Sequence, residues 1–477
     1  MIRIDEKIIK AVFPGFFGII GIILILWWLF YNPTESFTVS VPGMDNGPQR
    51  AIITDDTVII GEYAQFYSGV PADIPGSWPR FRGSDFDNIY KEQISLIDNW
   101  DERGPDILWS IELGEGHAAP AVLDGIVYIL DYDEQRKSDS LRAFSLADGK
   151  EIWRRWYKVL IKRNHGRSRT IPAVTEKYVI TIGPRGHVMA VESKTGAFLW
   201  GIDVEKDFNS EIPRWYTGQC PLIDGSTAVI ATCGKALIIG VDLSTGEIIW
   251  QTPNVHNWKM SHSSIMPITF KGKKMYIYSA IGGMVGISAE SKDAGTILWE
   301  TTLWNNNVIA PSPIFFDDGR IYATAGYGGG SMMLKLSRIQ GEYNIESIYK
   351  RNPKQGFSSE QQTPILFQGH LFGILPKDAG VNRNQFICFD PEGRIVWTSG
   401  KTNQFGLGPY ILADGKFFIL SDDGVLTIIK ASTEAYIGLG KTKVLDGEDA
   451  WGPIALVNGL MLLRDSKKLV CIDVRKK

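Results

Sequence analysis

The residues able to do chemistry in this chain gather in short segments, and the densest of these is cationic. From Trp153 to Arg169 the sequence WRRWYKVLIKRNHGRSR carries Arg154, Arg155, Lys158, Lys162, Arg163, Arg167 and Arg169, with His165 and no acid. Cations at that density would concentrate an anion, whether an acidic protein surface or a polycarboxylate cofactor. A solvated charge run or a lipid-headgroup contact would share the composition, so both readings stand. Further candidates are Gln219 in Thr217-Gly-Gln219, His262 between serines, Glu360 and Gln361 in Glu360-Gln-Gln362, and Trp451 in Asp449-Ala-Trp451. A histidine among serines serves either as a ligand or as a satisfied structural group. No H-E-x-x-H, C-x-x-C, Walker or Rossmann pattern sits in a suitable context. The run Gly326-Tyr-Gly-Gly-Gly330 precedes no helix and reads as a turn.

What positions these segments is a repeat. A pattern of Pro, short apolar run, Gly turn, apolar run, Gly, apolar run, Thr/Asp-Gly and apolar-Trp recurs from Ala118 onward, about every 46 residues. Its prolines are 120, 172, 221, 267, 313, 364, 409 and 453, and its closing aromatics include Trp153, Trp200, Trp250, Trp299, Tyr349 and Trp397. Each copy holds four short strand candidates between turn residues, which is one propeller blade. The eighth copy ends after three strands, and Pro105-Asp-Ile-Leu-Trp109-Ser-Ile-Glu-Leu113 carries the missing blade-ending Trp. Strands from both ends would then close the ring and remove an open sheet edge. The spaced tryptophans are expected between neighbouring blades, burying large area. The candidate segments precede repeat prolines, so they lie on the connections that face the central funnel.

Composition agrees with an all-β chain. Its 477 residues carry 50 glycines and 15 tryptophans, and a net charge of −3 gives no whole-molecule field for nucleic acid. Residues 11–34 hold no charge, follow Arg3, Lys7 and Lys10, and end in Trp27, Trp28 and Tyr31. That pattern predicts an uncleaved transmembrane anchor with the N-terminus in the cytoplasm and the rest outside it. Cys388 and Cys471 occupy equivalent third-strand positions and read as core residues. Cys220 and Cys233 flank a hairpin turning at Asp224-Gly-Ser226; a cross-strand disulfide and two separate thiols are both open.

The endings LSTGEIIW, ESKTGAFLW, LADGKEIW and DPEGRIVW resemble those of the PQQ-like repeat family, which includes quinoprotein alcohol dehydrogenases and the BamB-type scaffold. The preamble Trp78-Pro-Arg-Phe-Arg-Gly83 is similar to the W-P-x-F-R-G of its membrane- and cell-wall-associated branch, with Ser84 where Pro often follows. The resemblance spans roughly Trp78 to Val474. For the dehydrogenases it would imply an adjacent Cys-Cys disulfide, an Asp base and Glu/Asn calcium ligands. No Cys-Cys pair occurs here, and no local match to the others is found. A reaction that abstracts hydride or a proton needs such a base.

The expected architecture is all-β: an eight-bladed β-propeller of four-stranded antiparallel blades, closed by an N-terminal strand and preceded by one transmembrane helix. The expected divisions are 1–10 cytoplasmic, 11–34 anchor, 35–104 linker and lead-in, and 105–477 propeller. The expected function is a non-catalytic protein-binding scaffold docking envelope or membrane-complex proteins from the periplasmic side of the inner membrane, without a cofactor. The alternative is a PQQ-dependent oxidoreductase with calcium. The funnel candidates are Arg163, His165, Arg167, Arg169, Gln219, His262, Glu360, Gln361 and Trp451.

Overall fold

The computed structural model describes residues 6–31, 58–101 and 103–476, and two units emerge, Met1–Thr57 and Val58–Lys477. In the first, α1 (Glu6–Phe30) stacks Trp27 on Tyr31 at 4.9 Å. Among the described residues no helix is long and apolar enough to cross a membrane. This corrects the expected anchor over 11–34, and with it the inner-membrane location. Residues 1–5 and 32–57, which hold much of the expected cytoplasmic N-terminus and linker, lie outside the described residues.

The second unit begins with two strands that belong to no four-stranded repeat, β1 (Tyr63–Phe66) and β2 (Ile89–Tyr90), then β3 (Ile107–Glu112). Blade 1 follows as β4 (Ala121–Leu123), β5 (Ile126–Asp133), β6 (Ser138–Ser145) and β7 (Glu151–Lys158), each antiparallel to the next. Its first turn, Asp124-Gly125, has φ of 49° and 69° at successive residues. That is the type I′ geometry whose twist matches a hairpin, and Asp or Asn followed by Gly adopts it at least strain. Asp414-Gly415 and Asn458-Gly459 repeat it.

Eight sheets result, six of four strands and two of five. First strands touch those of neighbouring blades, β4 meeting both Ala173–Val174 and Ala455–Val457, which sets them around the axis. The last blade is completed as the repeat count predicts. β3 pairs antiparallel with Lys468–Asp473, Trp109 facing Cys471. A single core cluster runs through this seam, from Leu469–Ile472 to Leu141 and Trp153.

The Gly-x-x-x-Trp spacing has a direct mechanical basis. The ring of Trp109 lies where a Cβ on Gly149 of the next blade would be, 2.8 Å away, and its indole N–H donates to Leu146 O at 2.9 Å. Trp200 treats Gly246 and Leu243 O the same way, at 2.6 Å and 2.9 Å. Trp153 and Trp250 stand over Gly196 and Gly295 in the same way, both at 2.6 Å, so these four tryptophans key into the turn of the following blade, and that turn must be glycine for the ring to enter. Tyr349 continues the series by donating to Pro391 O beside Gly393.

The two extra strands show what the lead-in does. β1 adds to the outer edge of blade 1, Tyr63 opposite Trp156. The stretch 78–96 instead meets the first strands and spans the axis. Trp78 bridges Val122, Pro79 O accepts from Val174 N, and Arg80 donates to Ile223 O. Farther on, β2 pairs parallel with Tyr410–Ala413, and Tyr90 Oη accepts from Asn458 N. Arg82, 6% exposed, donates to four carbonyls, those of Phe86, Asp87, Thr363 and Pro364. Gly83 is glycine because Trp78 folds over it; a Cβ there would stand 2.8 Å from the indole. The W-P-x-F-R-G preamble is thus a plug across the channel.

All four cysteines are buried and free, which decides the open disulfide question. The hairpin register places Leu222 opposite Val229 and Ile223 opposite Ala228, two residues out of step with a Cys220–Cys233 pairing. Cys233 Sγ lies 3.8 Å from Tyr278 Oη instead.

Candidate functional site

Connections between blades carry side chains to the axis on the face away from the hairpin turns that follow the first strands. Arg169 precedes the first strand of blade 2 and directs its guanidinium across the connection. Nε donates to Trp215 O at 2.6 Å, and Nη2 donates to Asn164 O and His165 O at 2.7 and 2.8 Å. Its partners are neutral carbonyls, and burial lowers its pKa to about 10. On either side stand two histidines. His117 lies against Trp451 with ring centroids 4.8 Å apart, and His262 lies 6.3 Å from Trp215. Burial, with Arg169 adding repulsion, lowers His117 to about 3 and His262 to about 4.

Four side chains stack across the mouth. Arg214 lies over the Trp215 ring at 4.9 Å, Trp215 stacks on Tyr327 at 5.5 Å and 22°, and Lys377 lies over Tyr327 at 5.7 Å. The stack links the connection into blade 3 with loops of blades 5 and 6. Trp215, Tyr216 and Tyr327 hold φ of 68°, 73° and 53°, a left-handed backbone that bulky residues rarely adopt. Such strain persists where surrounding contacts fix it and collects at binding sites.

Opposite lie the carboxylates. Glu360, 4% exposed, is raised by burial and hydrogen-bonds Tyr327. Asp422 is also raised by burial, and its Oδ1 accepts from both Trp451 Nε1 at 2.8 Å and Leu407 N at 2.7 Å. Gln362 Nε2 donates to Trp451 O at 3.0 Å, tying the connection into blade 6 to that into blade 8.

Of the residues singled out from sequence, Arg169, His262, Glu360 and Trp451 come together here. Gln361 is half-buried beside them, while its neighbour Gln362 makes the cross-blade contact. Gln219 is a brace, donating to Ala231 O and accepting from Ala231 N. Arg167 is buried, donating to Ile161 O and Glu134 and lying over Tyr132. Arg163 is exposed and paired with Glu115 at 2.7 Å; His165 is exposed, with φ 50°. Arg154 pairs with Glu151 on β7 itself. Three of the seven cations, Arg154, Arg163 and Arg167, are therefore paired with acids outside the run, and Arg169 is set at the axis among carbonyls.

His117, Trp215, Tyr327 and Asp422 were not among the candidates. His117 had a readable signal, since it stands three residues before Pro120 as Arg169 stands three before Pro172. Tyr327 sits in the glycine run read as a plain turn; that turn points to the mouth.

A family model described as outer membrane protein assembly factor BamB matches residues 97–232 and 234–344. Among solved structures, BamB from Moraxella catarrhalis matches with a TM-score of 0.51 at 13% identity, over 78% of this chain and 100% of that one. A europium-containing methanol dehydrogenase matches with a TM-score of 0.56 at 13% identity, over 84% of this chain and 90% of that one. Likeness at that identity speaks for the fold alone. No curated protein matches the chain in sequence.

Proposed function

Because the chain belongs to the family described as outer membrane protein assembly factor BamB, we propose that it is a non-catalytic docking propeller that holds partner proteins of the cell envelope at its funnel mouth. The observation that carries this reading is the stack of Arg214, Trp215, Tyr327 and Lys377. Trp, Tyr and Arg are the residue types that protein interfaces concentrate among the side chains that carry most of the binding energy. The histidines support it too, because bases with pKa values of about 3 and about 4 are poorly matched to proton abstraction near neutral pH.

The second reading is a PQQ-dependent oxidoreductase, motivated by the methanol dehydrogenase likeness. Calcium takes six to eight oxygen ligands, carboxylates prominent among them. Among the described residues no three His, Cys, Asp or Glu side chains gather as a metal would require. Asp422 is committed to Trp451 and Leu407, and Glu360 to Tyr327. The donor set fits a calcium-held quinone poorly, and no step is derived through one.

Crosslinking and affinity capture from envelope fractions tests the docking reading. Tyr327→Ser, Lys377→Glu and Arg169→Gln are expected to lose one and the same protein, which Val255→Ser on an exposed outer position retains. Equal capture by all four variants would sink it. So would dye-linked alcohol oxidation by the chain supplied with PQQ and calcium.

A further inference from the structure

Beside the funnel, above blade 2, the chain builds a recess that shares Arg214 and Trp215 with the docking stack and extends away from Tyr327 and Lys377. The outer strand Phe198–Asp203 runs directly into α2 (Val204–Phe208), capped by the Asp203 side chain accepting from Lys206 N. Asn209, in left-handed conformation, ends the helix and sends the chain through Ser210 to Tyr216. That loop, Asn164 and the turn residue Arg185 line a shallow, open recess of about 720 Å³. The volume falls within the roughly 300–1,000 Å³ of small-molecule sites.

The lining defines what fits. Arg185 and Glu205 form an ion pair within the recess, and Glu211 pairs with Lys259 at 2.7 Å. Those charges cancel, leaving Arg214, which lies over Trp215 and forms no ion pair among the described residues. The site therefore favours an anionic ligand over a neutral one. Asn164, Asn209 and the Arg185–Glu205 pair set donors and acceptors side by side, the pattern that neighbouring hydroxyls satisfy. Ile212 and Pro213, adjacent in the chain, add apolar surface to the lining against which the C–H face of a sugar ring can pack. A bound peptide would need a separate pocket for alternate side chains. We propose that this recess binds a short oligosaccharide bearing a carboxylate, with Arg214 receiving the carboxylate as a charge-assisted hydrogen bond.

Calorimetric titration of the full chain with trigalacturonate and with maltotriose tests this. Trigalacturonate is expected to saturate, and maltotriose to bind about tenfold more weakly or worse, since a charge-assisted bond is lost. Arg214→Gln should bring trigalacturonate down to the level of the neutral sugar, Arg214→Lys should restore part of it, and Asn164→Ala should weaken both. Melting curves confirm that each variant is folded; the comparison of the two sugars on the unaltered chain decides the matter without any variant. Absence of saturation by trigalacturonate, equal binding of both sugars, or its displacement by an equal concentration of an N-acetylated tripeptide with a free carboxylate would overturn the proposal. Protein capture through Tyr327 and Lys377 is a separate readout, so either reading can fail alone.

Discussion

Asp139 stands on β6 with 1% of its surface exposed, and its Oδ2 accepts from Tyr157 Oη at 2.8 Å. Burial pushes its pKa up to about 6, against the opposing pull of Tyr157 and His187. The sign follows from linkage. Between the unfolded value of 3.8 and about 6, the folded state keeps a proton that the unfolded state has lost. Stability is therefore drained as pH rises through that window, and the penalty is complete above it. A rise of that size corresponds to about 3 kcal/mol. Asp139→Asn keeps an acceptor for Tyr157 and should melt at higher temperature at pH 7.5, with the gain shrinking towards pH 4.5. A gain independent of pH would refute the assignment. Charge pairing also explains what the sequence misread at this scale. Arg163 and Arg167 looked free because their acids, Glu115 and Glu134, lie 48 and 33 residues away.

At the scale of elements, the tryptophan that ends an outer strand and the glycine that opens the next blade's turn form one unit. If β3 is a true blade strand, Trp109→Ala should destabilise by about 3–5 kcal/mol, as loss of a buried Trp does elsewhere. Trp200→Ala, which removes the same kind of key, should lower the melting temperature by a similar amount. An unchanged melting temperature for Trp109→Ala would mean that the seam bears no load. This level was legible in the sequence because the pattern is local: turn, three residues, tryptophan. The plug was not. Trp78, Arg80 and Arg82 meet Val122, Ile223 and Thr363, and no spacing rule foretells contacts across an axis. The Cys220–Cys233 alignment failed for a smaller reason, a hairpin register two residues away from pairing them.

For the whole molecule, the compact unit starts at Val58. A chain beginning there should fold and melt cooperatively, because blades, seam and plug are all retained. A chain beginning at residue 98 keeps β3 and every blade but loses Arg82, whose guanidinium satisfies the Thr363 and Pro364 carbonyls at the centre. Leaving buried acceptors unpaired costs about 1–3 kcal/mol each. Thermal melts of the two truncations check this, and equal stability would show the plug to be ornamental. The number of blades and their closure were readable from the proline spacing alone, since eight copies with one strand missing admit a single completion. The funnel was readable only in part, because a connection's sequence says that it reaches the mouth and not which side chain stays there.

The seam has a consequence in time. Its two halves are Ile107–Glu112 and Lys468–Asp473, so seven blades are synthesised between the first half and the second. The plug is made earlier still, and successive blades can assemble against it as they emerge. Until the final strand arrives, the growing ring carries an unpaired edge, the kind of surface that recruits stray strands. Closure also joins residues about 360 positions apart in sequence, which places it among the slow steps of folding. A nascent chain of this design therefore spends most of its synthesis as an open ring, and its exposure to aggregation is set by how soon the last six-residue strand can dock.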